Sequence, residues 1–472
     1  MSIVGAFVLP HPPLAVAGVG RGEEAKISTT LAGYREVARR IASLEPETVV
    51  VSSPHATAYY DYIHISPGAH ASGDFSNFGD PDDEVIVDYD EELVNVICQQ
   101  AAAVGLPAGI EGERGSSLTD DHGTMVPLSF VQAAGVRCPI VRIGISGLSP
   151  LDHYDLGRCV ARAAGKLDRR VVWLASGDLS HKLSEASPYG YSPDGPVFDE
   201  VMCEAFSSGD FLRLLTVDHG LCERAAECGL RSFQMMAGSL DGRSVSAELI
   251  SHEGPFGIGY GVAAFVPTGA DPDRRFGERY REIHARRIAE VRAAEDPWVG
   301  VARASAESWV RSRRRLEVPD DLPQSLRDRI PEELLATRAG CFCSVKKNGE
   351  LRGCIGTTSP TRGCLAQEIA DNAVSAVSRD PRFDPVTPDE LDELVYDVDV
   401  LDEPRDIAGT DELDPRRYGV IVSAADGRRG LLLPDLDGVD TVDEQVSIAR
   451  RKGDIGPDEP VSLQRFEVAR HV

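Results

Sequence analysis

No stretch of this sequence approaches the roughly 18 consecutive apolar residues that a membrane-spanning helix needs. Residues 1–10 contain no basic segment and no long apolar core, so they do not resemble a secretory signal peptide. We therefore expect a cytoplasmic protein without a membrane partner.

The sequence lacks a cysteine framework, since ten cysteines are spread over 472 residues and no two of them form a Cys-x-x-Cys pair. Without a secretory signal, these thiols are expected to stay reduced rather than to form a disulfide framework. The missing pair also argues against a structural zinc site. A helical His-Glu-x-x-His motif is absent too, which disfavours a zinc or iron hydrolase without excluding one.

Basic residues are outnumbered by acidic ones, 49 against 76, which gives a formal net charge of −27. This balance argues against binding to nucleic acid or to an anionic membrane surface. Hydrophobic residues make up 42%, which is ordinary for a globular protein, and the length suggests two or three domains.

Buried strands and amphipathic helices alternate at the start of the chain. Residues 3–9 and 48–51 are short apolar runs typical of buried strands, and residues 27–43 carry apolar side chains at helical spacing. This order predicts an α/β domain with a central mixed sheet flanked by helices, whose strand-end loops form the site.

A change of composition predicts where this first domain ends. Residues 268–276 belong to a stretch rich in proline, glycine and aspartate, which is typical of linkers. We therefore assign residues 1–267 to the α/β domain and residues 277–472 to an α+β domain that opens with a charged helix.

Five polar side chains in the first domain lie in predicted loops, mostly directly after a strand. They are His11, His55, His122, His181 and Glu253. Two histidines and one carboxylate at such positions are the ingredients of a non-haem iron site. Each residue alone has a simpler explanation as a turn, capping or solvated loop residue. We place His122 in an Asp-Asp-His-Gly turn, whose carboxylates could orient its imidazole or raise its pKa.

Five short motifs in the first domain together carry a resemblance. They are residues 9–13 (Leu-Pro-His-Pro-Pro), 53–55 (Ser-Pro-His), 121–128 (Asp-His-Gly-Thr-Met-Val-Pro-Leu), 176–181 (Ser-Gly-Asp-Leu-Ser-His) and 253–260 (Glu-Gly-Pro-Phe-Gly-Ile-Gly-Tyr). Through them, the domain resembles the class III extradiol dioxygenases of the LigB type. That superfamily also contains the Memo-like proteins.

The resemblance implies a metal, a substrate class and a role for each residue. In the enzymes, two histidines and a glutamate bind Fe(II), and these correspond to His11, His55 and Glu253. His181 matches the acid/base histidine, and His122 matches the histidine that contacts the substrate hydroxyl. The implied substrates are a catechol-type aromatic and O2. Zinc or another divalent ion is the alternative metal.

The chemistry is consistent with these residue types. A face of two histidines and one carboxylate leaves open positions on Fe(II) for a catecholate and O2 side by side. An imidazole with an ordinary pKa of about 6.5, as we expect for His181, suits proton transfer at neutral pH.

The Memo-like proteins supply the main alternative, a metal-binding scaffold or redox component that does not cleave rings. In that branch another ligand, typically cysteine, replaces the glutamate. Because Glu253 is retained in the matching motif, the resemblance favours the enzyme.

The second domain resembles the AMMECR family, which implies a fold rather than an activity. The carrying motif is residues 351–357 (Leu-Arg-Gly-Cys-Ile-Gly-Thr), supported by residues 380–383 and 427–434. Fused domains of these two families are similar to the AmmeMemoRadiSam system, which implies a radical SAM protein as a partner.

The thiols of the second domain leave several interpretations open. Cys354 could be a nucleophile if neighbouring cations lower its pKa, or a small thiol packed beside glycine. Together with Cys341, Cys343 and Cys364 it could also bind zinc, although the spacing disfavours that site.

Overall fold

The predicted alternation of strands and helices is present in the computed structural model, which describes residues 2–114, 117–436 and 438–472. The chain divides into two units, residues 1–282 and 283–472. The predicted linker contains the end of a strand, a short 3-10 turn and the first residue of the helix Phe276–Ala294.

The strands of the first unit have the following bounds: β1 Ile3–Leu9, β2 Thr48–Ser53, β3 Ile63–His64, β4 His70–Phe75, β5 Asp80–Asp88, β6 Ala108–Gly109, β7 Ile140–Gly144, β8 Val171–Ser176, β9 Arg243–Glu253 and β10 Tyr260–Ala270. Its helices are α1 Ala17–Gly20, α2 Ser28–Leu44, α3 Glu91–Ala103, α4 His122–Ala133, α5 Pro150–Lys166, α6 Asp194–Ser208, α7 Leu212–Thr216, α8 His219–Ala225 and α9 Leu230–Ser239; α10, Phe276–Ala294, contains the boundary between the units.

Six of these strands form one mixed sheet in the order β7-β2-β8-β1-β10-β9. The first four are mutually parallel, with Leu9 of β1 beside Ser176 of β8. β10 is antiparallel to β1, and β9 is antiparallel to β10. The carboxyl ends of β1, β2, β8 and β9 and the start of β10 therefore lie at the same edge of the sheet.

The sheet is buried on both faces, which explains why its strands are apolar throughout. In β1, Ala6 and Val8 pack in one core, while Phe7 and Leu9 pack in the other. Helices α3, α5, α6 and α9 cover the first face, and α2 and α4 cover the second. The mixed sheet flanked by helices confirms the predicted fold class.

Two elements of the first unit differ from the sequence prediction. His122 begins helix α4 rather than lying in a turn, and Pro127 lies inside that helix. Proline removes one helical hydrogen bond, but the apolar face of α4 is buried, and this burial keeps the helix intact. The β4–β5 hairpin was not predicted, and a 3-10 turn over Ser76–Phe78 connects its strands.

The second unit contains two four-stranded sheets, with the orders β12-β11-β13-β18 and β14-β17-β15-β16. Its strands are β11 Cys341–Lys347, β12 Glu350–Gly356, β13 Leu394–Leu401, β14 Arg405–Ile407, β15 Gly419–Ala424, β16 Arg429–Leu432, β17 Val461–Phe466 and β18 Val468–His471. Its helices are α11 Pro297–Ser312, α12 Gln324–Arg327, α13 Glu332–Ala336, α14 Leu365–Ala376 and α15 Val442–Lys452. Helices α11 and α14 pack on the first sheet, and α15 packs on the second.

Across the described residues, no helix has both the length and the apolar composition needed to cross a membrane.

Candidate metal centre

Three histidines converge at the carboxyl edge of the mixed sheet. His11 and His55 follow the parallel strands β1 and β2, and His122 begins α4. The Nε2 atoms of His11 and His55 lie 3.1 Å apart. One nitrogen from each of the three rings can be chosen so that all lie within 4.8 Å of one another. Three of the five predicted site residues therefore come together.

His11 is fixed by two neighbours from β8 and the loop after it. Its Nδ1 lies 3.0 Å from Ser176 Oγ, and its backbone N–H donates to Asp178 Oδ1 at 2.9 Å. A partner on Nδ1 leaves Nε2 directed at His55 and available to a metal ion. Sequence alone did not identify this orienting partner.

His122 is positioned by its helix rather than by the adjacent carboxylates. Asp121 caps α4 by accepting from Thr124 N at 2.9 Å, and it also accepts from Ser53 Oγ at 2.6 Å. A Cβ atom on Gly123 would lie 2.3 Å from Ser53 Oγ, so only glycine allows this approach of α4 to β2. The expectation that these carboxylates raise the pKa of His122 is wrong.

The three imidazoles are electrically neutral at neutral pH. Burial, with repulsion from His11 and His55, lowers the pKa of His122 to about 2. Burial likewise lowers the pKa of His11 and that of His55. Neutral imidazoles are the form that binds metal ions, so the cluster does not have to lose protons when an ion enters.

Asp178 connects this cluster to His181. Its Oδ2 lies 3.8 Å from His11 Nε2 and 3.9 Å from His181 Nε2. Burial raises the pKa of Asp178 to about 6, although the His11 N–H opposes that shift. The pKa of His181 is below its usual value because the ring is buried, which corrects the expectation of an unperturbed imidazole.

Glu253 lies at the end of β9, at the same edge of the sheet, but its carboxylate has another partner. Its Oε1 accepts from the Thr30 backbone N–H at 2.6 Å and from the Thr30 hydroxyl at 2.7 Å, in the first turn of α2. Glu253 does not belong to the converging histidine group. Metal binding by Glu253 stays a prediction. The Nε2 atom of the adjacent His252 forms a hydrogen bond with Asp199 Oδ2 at 2.6 Å, away from the histidine group.

Cys228 is a site residue that the sequence reasoning missed. Its Sγ lies 3.7 Å from His11 Nε2 and accepts from the Asp178 backbone N–H at 3.3 Å. Burial raises the pKa of this thiol. The only sequence signal for it is its place in a loop directly before α9, which resembles the loop positions of the histidines.

The donor set suits a divalent transition metal. Imidazole nitrogens and a thiol sulfur bind iron, zinc and copper ions, whereas magnesium and calcium prefer oxygen ligands. The residues that would hold an ion are His11, His55 and His122, with Cys228 and Asp178 next to them. The contact of His122 with a substrate hydroxyl, which the resemblance implies, stays a prediction.

The cysteines of the second unit do not form a comparable cluster. Across the described part of residues 283–472, no three potential metal-binding side chains converge. Burial raises the pKa of Cys354, and its Sγ accepts from Ser344 Oγ at 3.3 Å. A Cβ on Gly353 would lie 2.3 Å from Ala376 O. The motif thus has a packing role, which favours the interpretation of Cys354 as a packed thiol.

Comparison with known families matches both units. Residues 5–263 match the family described as the catalytic LigB subunit of aromatic ring-opening dioxygenase, and residues 299–471 match AMMECR1. A protein of Clostridium acetobutylicum is 37% identical over 477 residues, which cover 100% of this chain and 99% of that protein. A protein of Thermotoga maritima is 49% identical over 179 residues, which cover 38% of this chain and 98% of that protein.

Two solved structures show weaker similarity. An uncharacterised protein from Pyrococcus horikoshii is 28% identical, with a TM-score of 0.33, and the match covers 37% of this chain and 91% of that one. An uncharacterised protein from Escherichia coli K12 is 14% identical, with a TM-score of 0.39, and the match covers 55% of this chain and 99% of that one. Neither score is high enough to add to the family assignment.

Proposed function

The chain belongs to the family of the catalytic LigB subunit of aromatic ring-opening dioxygenase and carries an AMMECR1 domain, and on this basis we propose that it is a metal-dependent extradiol dioxygenase. Its substrates would be a catechol-type aromatic and O2, and the ion would be Fe(II). The convergence of His11, His55 and His122 is the observation that carries this proposal.

The arrangement of the chain's own residues supports the proposed chemistry. Fe(II), when bound, supplies positions for the catecholate and O2 and a source of electrons for oxygen. Ser176 holds the ring of His11, so that one ligand is oriented before an ion arrives. His181 and Asp178 lie beside the three histidines without belonging to that group, and we assign them to proton transfer.

His181 is the proposed acid/base residue. Its imidazole is neutral at pH 7 because burial lowers its pKa, so it can accept a proton from a catechol hydroxyl. Asp178, at 3.9 Å, is placed to stabilise the imidazolium that forms. The buried Asp178 also accepts a hydrogen bond from the His11 backbone N–H. The same carboxylate therefore contacts both the proposed acid/base residue His181 and the proposed metal ligand His11.

A second candidate function is the Memo-like one, a metal-binding scaffold or redox component that does not cleave rings. Two observations favour it: Cys228 Sγ lies beside His11 Nε2, and Glu253 is bonded to Thr30. The resemblance associates this branch with a cysteine at the position of the glutamate, where this chain keeps Glu253; Cys228 would supply a thiol from another loop. A radical SAM protein is the partner that we propose for this candidate, on the basis of the two fused domains.

An anaerobic reconstitution tests the leading proposal. The full chain is loaded with Fe(II), its iron content is measured, and a panel of catechols, gallates and aminophenols is added before air is admitted. We expect O2 uptake and a yellow ring-opened product with at least one compound. One bound iron without O2 uptake on any compound would reject the dioxygenase and favour the second candidate.

A further inference from the structure

Tyr189 is a solvent-exposed aromatic residue next to the candidate metal centre. The residue is 58% exposed, yet its ring lies nearly parallel to the His181 imidazole, with the ring centroids 5.0 Å apart and the planes inclined by 20°. One face of the ring thus covers the proposed acid/base residue.

Hydrogen bonds within the loop hold Tyr189 in this place. Ser187 Oγ donates to His181 O, and Tyr189 N donates to Ser187 Oγ at 3.1 Å. Ser192 N donates to Lys182 O at 3.0 Å, which closes the loop on itself. These bonds order the backbone that carries Tyr189, and the stacking on His181 places its ring. An ordered ring reduces the entropy that is lost when a ligand contacts it.

Phe78 is a second aromatic residue that contacts the histidine cluster and also packs against the core of the first unit. Its half-buried ring lies 5.2 Å from the His122 ring and is inclined to it by 69°. The adjacent Asn77 donates to Asp120 Oδ1 at 2.9 Å, and Arg21 donates to Gly79 O. The first bond holds the tip of the β4–β5 hairpin beside the residues that precede α4, and the second ties it to the end of α1.

A series of contacts connects the two aromatic rings through the metal-binding and acid/base groups. Phe78 contacts His122, whose ring centroid is 5.2 Å from that of His11. Asp178 Oδ2 lies within 4 Å of both His11 Nε2 and His181 Nε2, and His181 contacts Tyr189. Two loops that are distant in sequence thus each place one aromatic ring against this group of polar residues.

We propose that Phe78 and Tyr189 are substrate-binding residues that select a planar aromatic ring. The inference rests on the proposed function, because the ring would belong to a compound whose two oxygens bind the ion. Aromatic rings attract one another in stacked and edge-to-face arrangements, and Tyr189 and Phe78 make one of each kind with His181 and His122. A ligand with the same two oxygen donors but no ring gains nothing from either residue.

The test compares two ligands of one metal-loaded protein. The full chain is loaded with Zn(II), which avoids redox chemistry, and its zinc content is measured. Dissociation constants are then determined for 4-nitrocatechol, which has a ring, and for acetohydroxamate, which has none. The variants are Tyr189→Ala and Phe78→Ala, with Phe78→Leu in case the alanine variant does not fold. Tyr189→Phe retains the ring, and Tyr191→Ala removes a neighbouring tyrosine that is 51% exposed.

We expect Tyr189→Ala and Phe78→Ala to weaken 4-nitrocatechol binding by about tenfold each, which is the upper range for one aromatic pair. Tyr189→Phe and Tyr191→Ala should change it less than about twofold, and acetohydroxamate should bind all variants equally.

Three other outcomes would overturn the inference, and they are distinguishable. Unchanged 4-nitrocatechol binding in both alanine variants would reject it alone and leave the proposed function intact. Equal weakening of both ligands would show that the two rings support the metal site and do not bind the substrate. If the unaltered protein binds acetohydroxamate but not 4-nitrocatechol, the catechol-directed function fails, and the inference fails with it.

Discussion

Glu253 and Thr30 are joined by two hydrogen bonds to a single carboxylate oxygen, one from the backbone N–H at 2.6 Å and one from the hydroxyl at 2.7 Å. Thr30 lies in the first turn of α2, where free N–H groups and the helix dipole favour a negative charge. The carboxylate that sequence assigned to the metal therefore links the end of β9 to the start of α2.

Glu253→Ala should lower the free energy of unfolding by about 1–3 kcal/mol, because a charged acceptor and its helix contact are lost. The contact with Thr30 predicts that the bound metal per chain is unchanged, whereas the sequence-based prediction of Glu253 as a ligand requires a loss of metal. Glu248→Ala on the same strand is the control, since it removes only an exposed ion pair with Arg40. A loss of metal from Glu253→Ala alone would show instead that Glu253 is a ligand.

Ser176→Ala should weaken metal binding by roughly 10- to 100-fold, because the His11 ring loses the partner that orients it. Competition with a chromophoric chelator measures this affinity. Ser129→Ala serves as the control, since the Ser129 hydroxyl bonds only to Val126 O within α4. Equal affinities of the two variants would contradict an orienting role for Ser176.

His181→Ala should keep the bound metal and lose about 10²- to 10⁴-fold in turnover, as expected when a general acid/base is removed. Metal analysis and O2 uptake on the same preparation separate the two effects. If the metal is lost as well, His181 is a ligand, and its assignment to proton transfer is wrong.

Cys228→Ser tests the second candidate function. If the thiol is a ligand, the serine variant should lose metal affinity, and the Co(II)-loaded protein should lose its sulfur-to-metal charge-transfer band. Cys203→Ser is a suitable control, because Cys203 is a free, partly buried cysteine of the same unit that is not grouped with the histidines. Unchanged spectra would exclude thiolate coordination.

The second unit should lose stability in acid through Asp380. Hydrogen bonds from Arg382 lower the pKa of Asp380 from 3.8 to about 2. The stabilisation is therefore complete above pH 3.8 and disappears as the pH falls through about 2. We expect Asp380→Asn to lower the free energy of unfolding by about 1 kcal/mol at pH 5 and to leave it unchanged near pH 2. The effect at pH 5 is small because Arg382 is half exposed and water screens the ion pair.

Urea unfolding of the second unit at both pH values measures this difference. The control is Asp402→Asn, which changes an exposed carboxylate. A cost that does not depend on pH would show that the Asp380 charge makes no contribution.

Local patterns in the sequence were sufficient to predict most of the sheet and helices. The apolar runs at residues 3–9 and 48–51 became β1 and β2, because strands buried on both faces need no polar alternation. Helix α4 escaped prediction because Pro127 is a local helix breaker, while the burial that keeps the helix intact depends on the tertiary fold.

The candidate site was predictable only where a residue follows directly on a strand. His11 and His55 are placed by β1 and β2, so strand prediction located both. Asp178 and Cys228 approach His11 through the pairing of β1 with β8 and through the path of the loop before α9. Asp178 is 167 positions from His11, and Cys228 is 217 positions from it. Contacts over such separations leave no periodic signal in the sequence.

These long separations also make the metal ion a reporter of folding. His11, His55 and Ser176 are 44 to 165 residues apart, so an unfolded chain does not hold them near one another. The site exists only after β2, β8 and β1 have paired in register. An ion that binds it therefore adds its binding free energy to the stability of the whole sheet, and metal content should measure the folded fraction of the first unit.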